Sequence, residues 1–428
     1  MAPPAPPREP LGPRFHHLLA FTGLSNLADG VLLVGAPLYA ITLTRAPAEI
    51  ALLSAAVTAP WLFVALYAGL VVDRHDRPRI IAAATVVRAV VLLAAALAAG
   101  AGHLTLPLLI LTLLIHGCAE VFADTSSRAL VPDVAPHARL AAANSRLMGV
   151  EQLANAFLGG PVAGFVLALG AGWVFGLPAA LATAGLVTVL RGLWGKVPAP
   201  RTPDAAPSSR RTELKEGIAF LWGHRVVRPL ILGGTAFNFS TSAYFAVFVL
   251  WVVGPGSAVG LAEEAYGLLM IGFAAGAIAG AVLAERIVGT GRERRVIAVT
   301  WGFGAVILLV PALVPDPWAI AAGLTAAGFA NMVGNVATSS LRHRLVPSRL
   351  LGRVSGASTT IAYGAMPLGA LLGGLVAELL GIRALMLAVP GFLVVAVALT
   401  VAAFTQRDIA AADAAADAER ERMATITG

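Results

Sequence analysis

Four charged side chains stand inside long apolar stretches of this sequence, and their types could support proton exchange: Asp29, Arg88, Glu120 and Glu151. A charge in an apolar environment is costly and usually marks a function or has a partner of opposite sign. A carboxylate there can take up and release a proton, whereas an arginine needs an anion beside it. We therefore expect Asp29 to carry a proton and Arg88 to form a buried pair with Glu120, with Asp29 and Glu151 as alternative partners. A purely structural ion-pair network would explain the same residues.

Asparagine amides in the same stretches could hydrogen-bond a substrate: Asn26, Asn238, Asn331 and Asn335. Asn331 and Asn335 are four residues apart, so on a helix they share one face. Amides also hold neighbouring membrane helices together, which is the alternative interpretation.

The elements that carry these residues are twelve apolar stretches, each of the length that crosses a ~30 Å hydrocarbon core as a helix. The chain is 58% hydrophobic and 12% charged, with a mean hydropathy of +0.82. Backbone polar groups cannot go unpaired in lipid, so such stretches must be helical. The sequence predicts an all-α membrane protein with twelve transmembrane helices at residues 18–43, 49–72, 79–100, 104–127, 141–169, 171–194, 229–253, 264–288, 295–314, 317–341, 351–380 and 383–404.

The net charge of +7 indicates membrane orientation instead of nucleic-acid binding. Of the 30 lysines and arginines, 27 lie in or beside the segments on one side of the predicted membrane. Arg45 and Arg383 lie on the other side, and Arg88 is inside a span. Because positive residues concentrate in cytoplasmic loops, both termini are predicted to be cytoplasmic, in a multi-pass protein of the bacterial inner membrane.

The two halves of the chain repeat, as in carriers built from two similar bundles around a site at the membrane midplane. Matching positions recur at nearly the same separation: Val131-Pro132 with Val346-Pro347, Gly159-Gly160 with Gly373-Gly374, and Asn26 with Asn238. The predicted segments are a disordered tail at 1–17, a six-helix bundle at 18–195, a linker at 196–228, a second bundle at 229–405 and a tail at 406–428. Within the linker, residues 210–223 could form an amphipathic helix on the anionic inner leaflet.

A charged loop between the second and third spans reads Gly69-Leu-Val-Val-Asp73-Arg74-His-Asp76-Arg77-Pro-Arg79. It resembles motif A of the major facilitator superfamily, with Asp76 in place of the usual second glycine. That substitution, together with Asn26-Leu-Ala-Asp29-Gly30 and Leu130-Val-Pro-Asp133, is similar to the branch that contains macrolide efflux proteins and the enterobactin exporter.

The resemblance implies a conformational latch formed by Gly69, Asp73, Arg74, Arg77 and Arg79. Glycine would let the second helix approach a neighbour closely. Asp73, at the end of that helix, would then bind an adjacent helix terminus or an arginine in the outward-facing state.

In the fifth span, Gly160-Pro161 and Gly164 resemble the core of motif C, which the family associates with antiport and export. Its physical content is a helix weakened by proline and lined by small residues. Glycine and proline are common in membrane helices anyway.

Together these features predict a proton-coupled exporter of an amphipathic small molecule, such as an antibiotic, another natural product or a siderophore, working by alternating access. Gly195-Lys196 is followed by Val197, so no ATP-binding loop is present. We expect no cofactor, no metal, no nucleic-acid partner and a monomer in the lipid bilayer. A proton-coupled importer of a nutrient is the alternative. A membrane-embedded enzyme is less favoured because the eight histidines are scattered.

Overall fold

The computed structural model of the chain describes residues 10–195, 216–289 and 291–427, and nearly all of these residues are helical. In the first half the helices are α1 (Pro13–Leu43), α2 (Pro47–Phe63), α3 (Ala65–Val72), α4 (Arg77–Gly100), α5 (Leu106–Val134), α6 (Leu140–Gln152), α7 (Gly159–Leu169) and α8 (Trp173–Gly192). After α9 (216–223) follow α10 (Val227–Val252), α11 (Glu263–Ile287), α12 (Glu293–Ile307), α13 (Val310–Leu313), α14 (Pro317–Leu345), α15 (Ser348–Leu380), α16 (Ile382–Ala402) and α17 (Gln406–Thr427).

Eleven helical segments within the described residues are long and apolar enough to cross a membrane. They correspond to eleven of the twelve predicted spans, and the all-α membrane fold is confirmed. The second predicted span is also helical but divided, because α2 ends at Phe63 and α3 begins at Ala65. Pro60 lies one turn before the break, but the carbonyl that it leaves without a donor is that of Ala56, within α2, so this proline does not explain the break.

The ninth predicted span is also interrupted, here at a proline. α12 ends at Ile307 and α13 begins at Val310, beside Pro311. A proline ring clashes with the carbonyl four residues earlier and cannot donate to it. Here that carbonyl belongs to Ile307, which is the residue where α12 stops.

The described chain divides into two compact units. One runs to Leu43 and resumes at Phe63, and the other combines Thr44–Leu62 with the described chain from residue 216 onward. α2 therefore groups with the second unit, although it belongs to the first half of the sequence. One contact that ties it there joins the backbone N–H of Ala48 to Oε2 of Glu378 on α15, at 3.3 Å.

Each unit has its own apolar core. In the first, Phe15, Phe21 and Ile81 are buried among side chains of α1, α4, α5 and α8. Large apolar side chains also remain on the outside, for example Phe165 and Trp318. An apolar exterior of this kind suits a protein that is solvated by lipid.

The short helix α9 packs within the second unit, and the place of the linker helix on the lipid surface stays a prediction. Leu221 is fully buried in the core of that unit, with Ile218 and Phe220 against it. Glu216 pairs with Arg353 at the start of α15. Part of the apolar face that indicated a membrane surface is thus covered by protein, whereas Trp222 is 46% exposed. The part of the predicted helix before residue 216 lies outside the described residues.

The tail after Phe404 forms a helix, α17, which also packs within the second unit. Phe404 and Ile409 are each 1% exposed. Arg344, at the end of α14, donates to Asp413 of α17 at 2.8 Å. The charges of the tail therefore contribute to packing, which hydropathy alone does not indicate.

Candidate functional site

A buried ion pair between α1 and α4 is the centre of the first unit. Arg88 is 1% exposed and its Nη2 donates to Oδ1 of Asp29. Nη1 of the same guanidinium donates to Oγ of Ser25 at 2.6 Å. Ser25 and Asp29 are four residues apart on α1, so one face of the helix presents both acceptors to the planar guanidinium. The observed partner of Arg88 is Asp29, which was predicted as an alternative to Glu120, because the α1 face supplies two acceptors to one arginine.

His116 of α5 completes this pair and was missed in the sequence. Its Nε2 lies 3.1 Å from Oδ1 of Asp29, and the side chain is 5% exposed. A signal was present, since 116, 120, 124 and 128 recur every fourth residue on α5. The predicted pattern began at Glu120, one turn after the histidine.

Glu120 lies beside the pair without being its direct partner. Side-chain nitrogen and oxygen atoms of Asp29, His116 and Glu120 lie within 4.8 Å of one another. We assign no metal ion to this cluster, because Oδ1 of Asp29 is already bonded to Arg88 and lies 3.1 Å from Nε2 of His116. Ser25, Asp29, Arg88, His116 and Glu120 are together named the α1–α4–α5 cluster.

Glu151 belongs to a second charged group and is not a partner of Arg88. Its Oε1 accepts from Nη2 of Arg128 at 3.0 Å, and the same nitrogen lies 3.9 Å from Asp124. Arg128 is on the last turns of α5 and its side chain is 64% exposed. Glu151 therefore pairs with a more accessible arginine, which its position near the end of α6 allows.

A cavity of about 230 Å³ lies next to the cluster, inside the first unit. Its walls combine apolar side chains with hydroxyls, amides and the second charged group: Phe21, Thr22, Ser25, Asn26, Asp124, Ser127, Arg128, Val131, Asn144, Leu147, Met148 and Glu151. Ser25 belongs both to this wall and to the hydrogen bonds of Arg88. The cavity therefore reaches the buried cluster through one hydroxyl.

The predicted amides lie in both units. Asn26 lines the cavity, and its Nδ2 donates to the carbonyl of Thr22 at 3.0 Å. In the second unit, Nδ2 of Asn335 donates to Oδ1 of Asn331 at 3.0 Å, which confirms that they share a face of α14. Asn238 is half-buried on α10.

The motif C residues follow a π-helical turn at Leu153–Leu158. Pro161 cannot donate to the carbonyl one turn earlier, and an extra residue in that turn accommodates the loss. Gly160 and Gly164 are buried on α7. Immediately before them, a Cβ at Gly159 would lie 2.5 Å from the Cα of Gly30 on α1. The backbones of α1 and α7 therefore meet next to Asp29.

The motif A residues surround the turn between α3 and α4. Arg77 forms an ion pair with Asp133 at the end of α5. Asp76 caps α4 by accepting from the N–H of Arg79 at 3.1 Å, and the Arg79 guanidinium lies 5.9 Å from the Trp194 ring centroid. Asp73 is the C-cap of α3, and Arg74 is exposed.

Gly69 does not make the close helix approach that motif A predicts. Within the described part of the chain, no atom of another element lies within 4 Å of the position a Cβ would take. The break at Val64 separates α3 from α2, so Gly69 is placed by a helix of only eight residues.

The helical fold matches solved membrane transporters over nearly the whole chain. A mutant of the nucleoside transporter NupG has a TM-score of 0.71 at 16% identity, covering 92% of this chain and 100% of that one. A bacterial homolog of the human lysosomal transporter Spinster, in an inward-facing, unoccupied conformation, has a TM-score of 0.66 at 16% identity, covering 95% and 99%. The architecture is that of a major facilitator transporter.

Sequence comparison places the chain within that superfamily. The family model described as transmembrane secretion effector matches residues 5–425. The uncharacterized MFS-type transporter y4rN of Sinorhizobium fredii (strain NBRC 101917 / NGR234) is 27% identical over 376 residues, covering 85% of this chain and 88% of the relative. The chain belongs to the transmembrane secretion effector family of major facilitator transporters and is a multi-pass membrane protein.

Proposed function

We propose that this transporter exports an amphipathic organic compound in exchange for protons, by alternating access of its two six-helix halves. The observation that carries the proposal is the buried pair of Asp29 and Arg88, with Glu120 beside it and a cavity next to it. The cargo class is an antibiotic, another natural product or a siderophore, as in the exporter branch that the sequence resembles. The chain works as a monomer in the bacterial inner membrane, with both termini in the cytoplasm.

The Asp29–Arg88 pair can couple proton binding to a change of structure, because each buried charge is compensated by the other. Removing one charge of a buried ion pair leaves the other uncompensated, at a cost of about 3–5 kcal/mol. A proton that neutralises the anionic side would release Arg88 to seek another acceptor, and Glu120 lies within the same cluster. Proton binding can therefore drive a rearrangement between α1, α4 and α5.

Export of an amphipathic compound is supported by three features. The family description names secretion. The motif C turn places a π-helical segment and a direct backbone contact beside Asp29. The cavity joins Phe21, Leu147 and Met148 to polar groups, as an amphipathic ligand requires. Substrate contact in the second half is assigned to Asn238, Asn331 and Asn335.

The motif A residues act as the conformational latch in this proposal. Arg77 and Asp133 tie the start of α4 to the end of α5, and Asp76 holds Arg79 at the same helix start. These contacts fix the turn that presents Asp73 and Arg74.

The test is proton flux in inverted membrane vesicles with an imposed pH gradient, acid inside, challenged with lipophilic antibiotics and siderophores. Wild type should release protons on addition of a transported compound, and Asp29→Asn should not. The matched control is Asp316→Asn, which also removes one carboxylate. Asp316 caps α14 by accepting from Ala319 N–H, and asparagine caps equally well.

The outcomes separate the parts of the proposal. Release that survives in Asp29→Asn would overturn coupling at Asp29 and keep the exporter. Silence of wild type across the panel would overturn export of this cargo class. Uptake of nutrients in whole cells would then test the importer alternative.

A further inference from the structure

We propose that His116 is a proton-binding residue of this transporter, and that a proton on its Nδ1 is what releases Arg88 from Asp29. The inference rests on the proposed proton coupling and identifies the atom at which the proton enters. No motif in the sequence pointed to this residue.

The two ring nitrogens of His116 have different surroundings. Nε2 lies 3.1 Å from Oδ1 of Asp29, an oxygen that already accepts from Arg88. An acceptor oxygen needs a donor opposite it, so Nε2 carries the hydrogen in the neutral ring. Nδ1 then presents a lone pair. It is buried and has no hydrogen-bond partner among the described residues.

A buried nitrogen without a hydrogen-bond partner destabilises the folded protein, because it has lost its hydrogen bond to water and formed none within the protein. Each such group in a native structure calls for an explanation. Here the ring is 5% exposed and one face of its helix leads to Glu120 and Asp124. The vacant lone pair is explained if the structure is one state of a cycle in which Nδ1 is filled in the other.

Adding that proton changes the charge balance of the cluster without breaking a covalent bond. The imidazole becomes an imidazolium, and Asp29 then faces two cations, His116 and Arg88. Their mutual repulsion is strong at this spacing in a poorly hydrated site. Nε2–H of the imidazolium keeps its hydrogen bond to Oδ1 of Asp29. The guanidinium of Arg88 moves away from that oxygen. Loss of the proton restores the observed arrangement.

The charged and titratable groups around His116 influence the protonation equilibrium of its ring. Asp29 faces it from α1 and Arg88 from α4. On its own helix Glu120 follows one turn later and Asp124 two turns later. Of the other elements packed on α5, α3 carries the phenol of Tyr67 and α6 carries Glu151, which pairs with Arg128. Glu120 is therefore the nearest carboxylate not already hydrogen-bonded to an arginine, and it is the acceptor for the released Arg88.

Two variants, Asp29→Asn and His116→Gln, distinguish a proton-binding role of His116 from a purely structural one. A glutamine amide can place an N–H donor near the position of Nε2 and so keep the bond to Asp29, but it cannot take up a proton. The control is Thr112→Val, one turn earlier on α5 and also buried.

The first experiment is nitrogen-15 NMR of the full-length protein with labelled histidine, in lipid nanodiscs and without any substrate. His116→Gln identifies the signal by its loss, and His116→Asn serves if the glutamine variant does not fold. We expect the neutral Nε2–H tautomer at the alkaline end and a doubly protonated ring at the acid end of a titration between about pH 5 and 8. The midpoint should move in Asp29→Asn, because the imidazolium loses its counterion, and should not move in Thr112→Val. A ring that stays neutral throughout, or carries its hydrogen on Nδ1, would overturn the proposal.

The second experiment is the vesicle proton-flux assay, with the compound that triggers release in wild type. His116→Gln should lose at least tenfold of the compound-triggered proton release, whereas Thr112→Val should keep it. Undiminished release in His116→Gln would overturn the role of His116 and leave proton-coupled export intact. Conversely, His116 could take up a proton in the titration while the protein transports no compound of the panel. That result would count against the proposed cargo class alone.

Discussion

Nη2 of Arg344 donates to Oε1 of Glu293 at 2.7 Å, which ties the end of α14 to the start of α12. In the first unit, Arg77 and Asp133 tie the start of α4 to the end of α5. The two pairs occupy related places in the repeat, but the polarity is reversed. The acid stands at the helix start in the second unit and at the helix end in the first.

The reversed pair of Glu293 and Arg344 also binds further side chains within the second unit. Glu293 also accepts from the amide of Gln406 at 2.7 Å, and Arg344 donates to Asp413. Both additional partners belong to α17. The ends of α12 and α14 that carry this pair are thus the docking site of the C-terminal helix.

Arg344→Ala should loosen α17. The change leaves Glu293, whose side chain is 4% exposed, without its arginine, and removes the partner of Asp413. Because Arg344 is itself about one-third exposed, solvent moderates the loss, and we expect about 1–2 kcal/mol. Limited proteolysis of the purified protein should cut within α17 several-fold faster than in wild type. Arg407→Ala, an exposed arginine of the same helix, is the control and should leave the cleavage rate unchanged.

Arg88→Leu should be strongly destabilising, by about 3–5 kcal/mol, because it leaves the carboxylate of Asp29 buried and without its cation. The double variant Asp29→Asn, Arg88→Leu should recover part of this loss, since no charge then remains unpaired. Thermal unfolding in detergent, followed by tryptophan fluorescence, measures both. A double variant no more stable than Arg88→Leu would show that the two side chains are not energetically coupled.

Charge reversal tests the pair in the motif A turn. Arg77→Asp and Asp133→Arg should each lower thermal stability, by up to about 1 kcal/mol for a partly exposed pair. The double variant restores opposite charges, in the polarity that the second unit already uses, and should recover most of the loss. Additive losses in the double variant would mean that the observed ion pair contributes no stability.

Hydropathy was sufficient to predict the spans, because it follows from the cost of placing polar groups in lipid. It could not predict the break at Val64 or the stop at Ile307. Proline is tolerated in some membrane helices and interrupts others according to local packing, so Pro311 alone does not indicate the stop. Asp29 and Arg88 were predicted as candidates from their charge alone. Their pairing depends on how α1 faces α4, which is a tertiary property.

His116 and α17 show where sequence reasoning stopped too early. A single histidine in an apolar helix has no motif, and only its spacing from Glu120 linked it to the charged face of α5. The polar composition of the tail favours a solvated segment. Its few apolar residues, Ile409 among them, are buried, and its acids meet arginines from distant parts of the chain.

Gly159→Ala should be destabilising by at least about 1–3 kcal/mol, the usual cost of overpacking a well-packed core. The new Cβ would lie 2.5 Å from the backbone of Gly30, so α1 and α7 would have to separate beside Asp29. Gly149→Ala is the matched control, because it lies in α6 with nothing within 4 Å of its Cβ position. An exposed helical glycine changed to alanine gains about 0.5–1 kcal/mol. Thermal unfolding of the two variants should therefore shift in opposite directions.

Acid should weaken the start of α17 before the rest of the helix. Hydrogen bonds from the hydroxyl and backbone N–H of Thr405 lower the pKa of Asp408 from its ordinary value of about 3.9. Because the folded pKa is the lower one, the contribution to stability is complete above the ordinary value and disappears as the pH falls through the folded value. Asp408→Asn should remove this pH dependence. Hydrogen exchange at the first turn of α17, measured between about pH 5 and 3, should accelerate in wild type beyond the intrinsic trend and follow that trend in the variant. Equal acceleration in both proteins would assign the effect to another group.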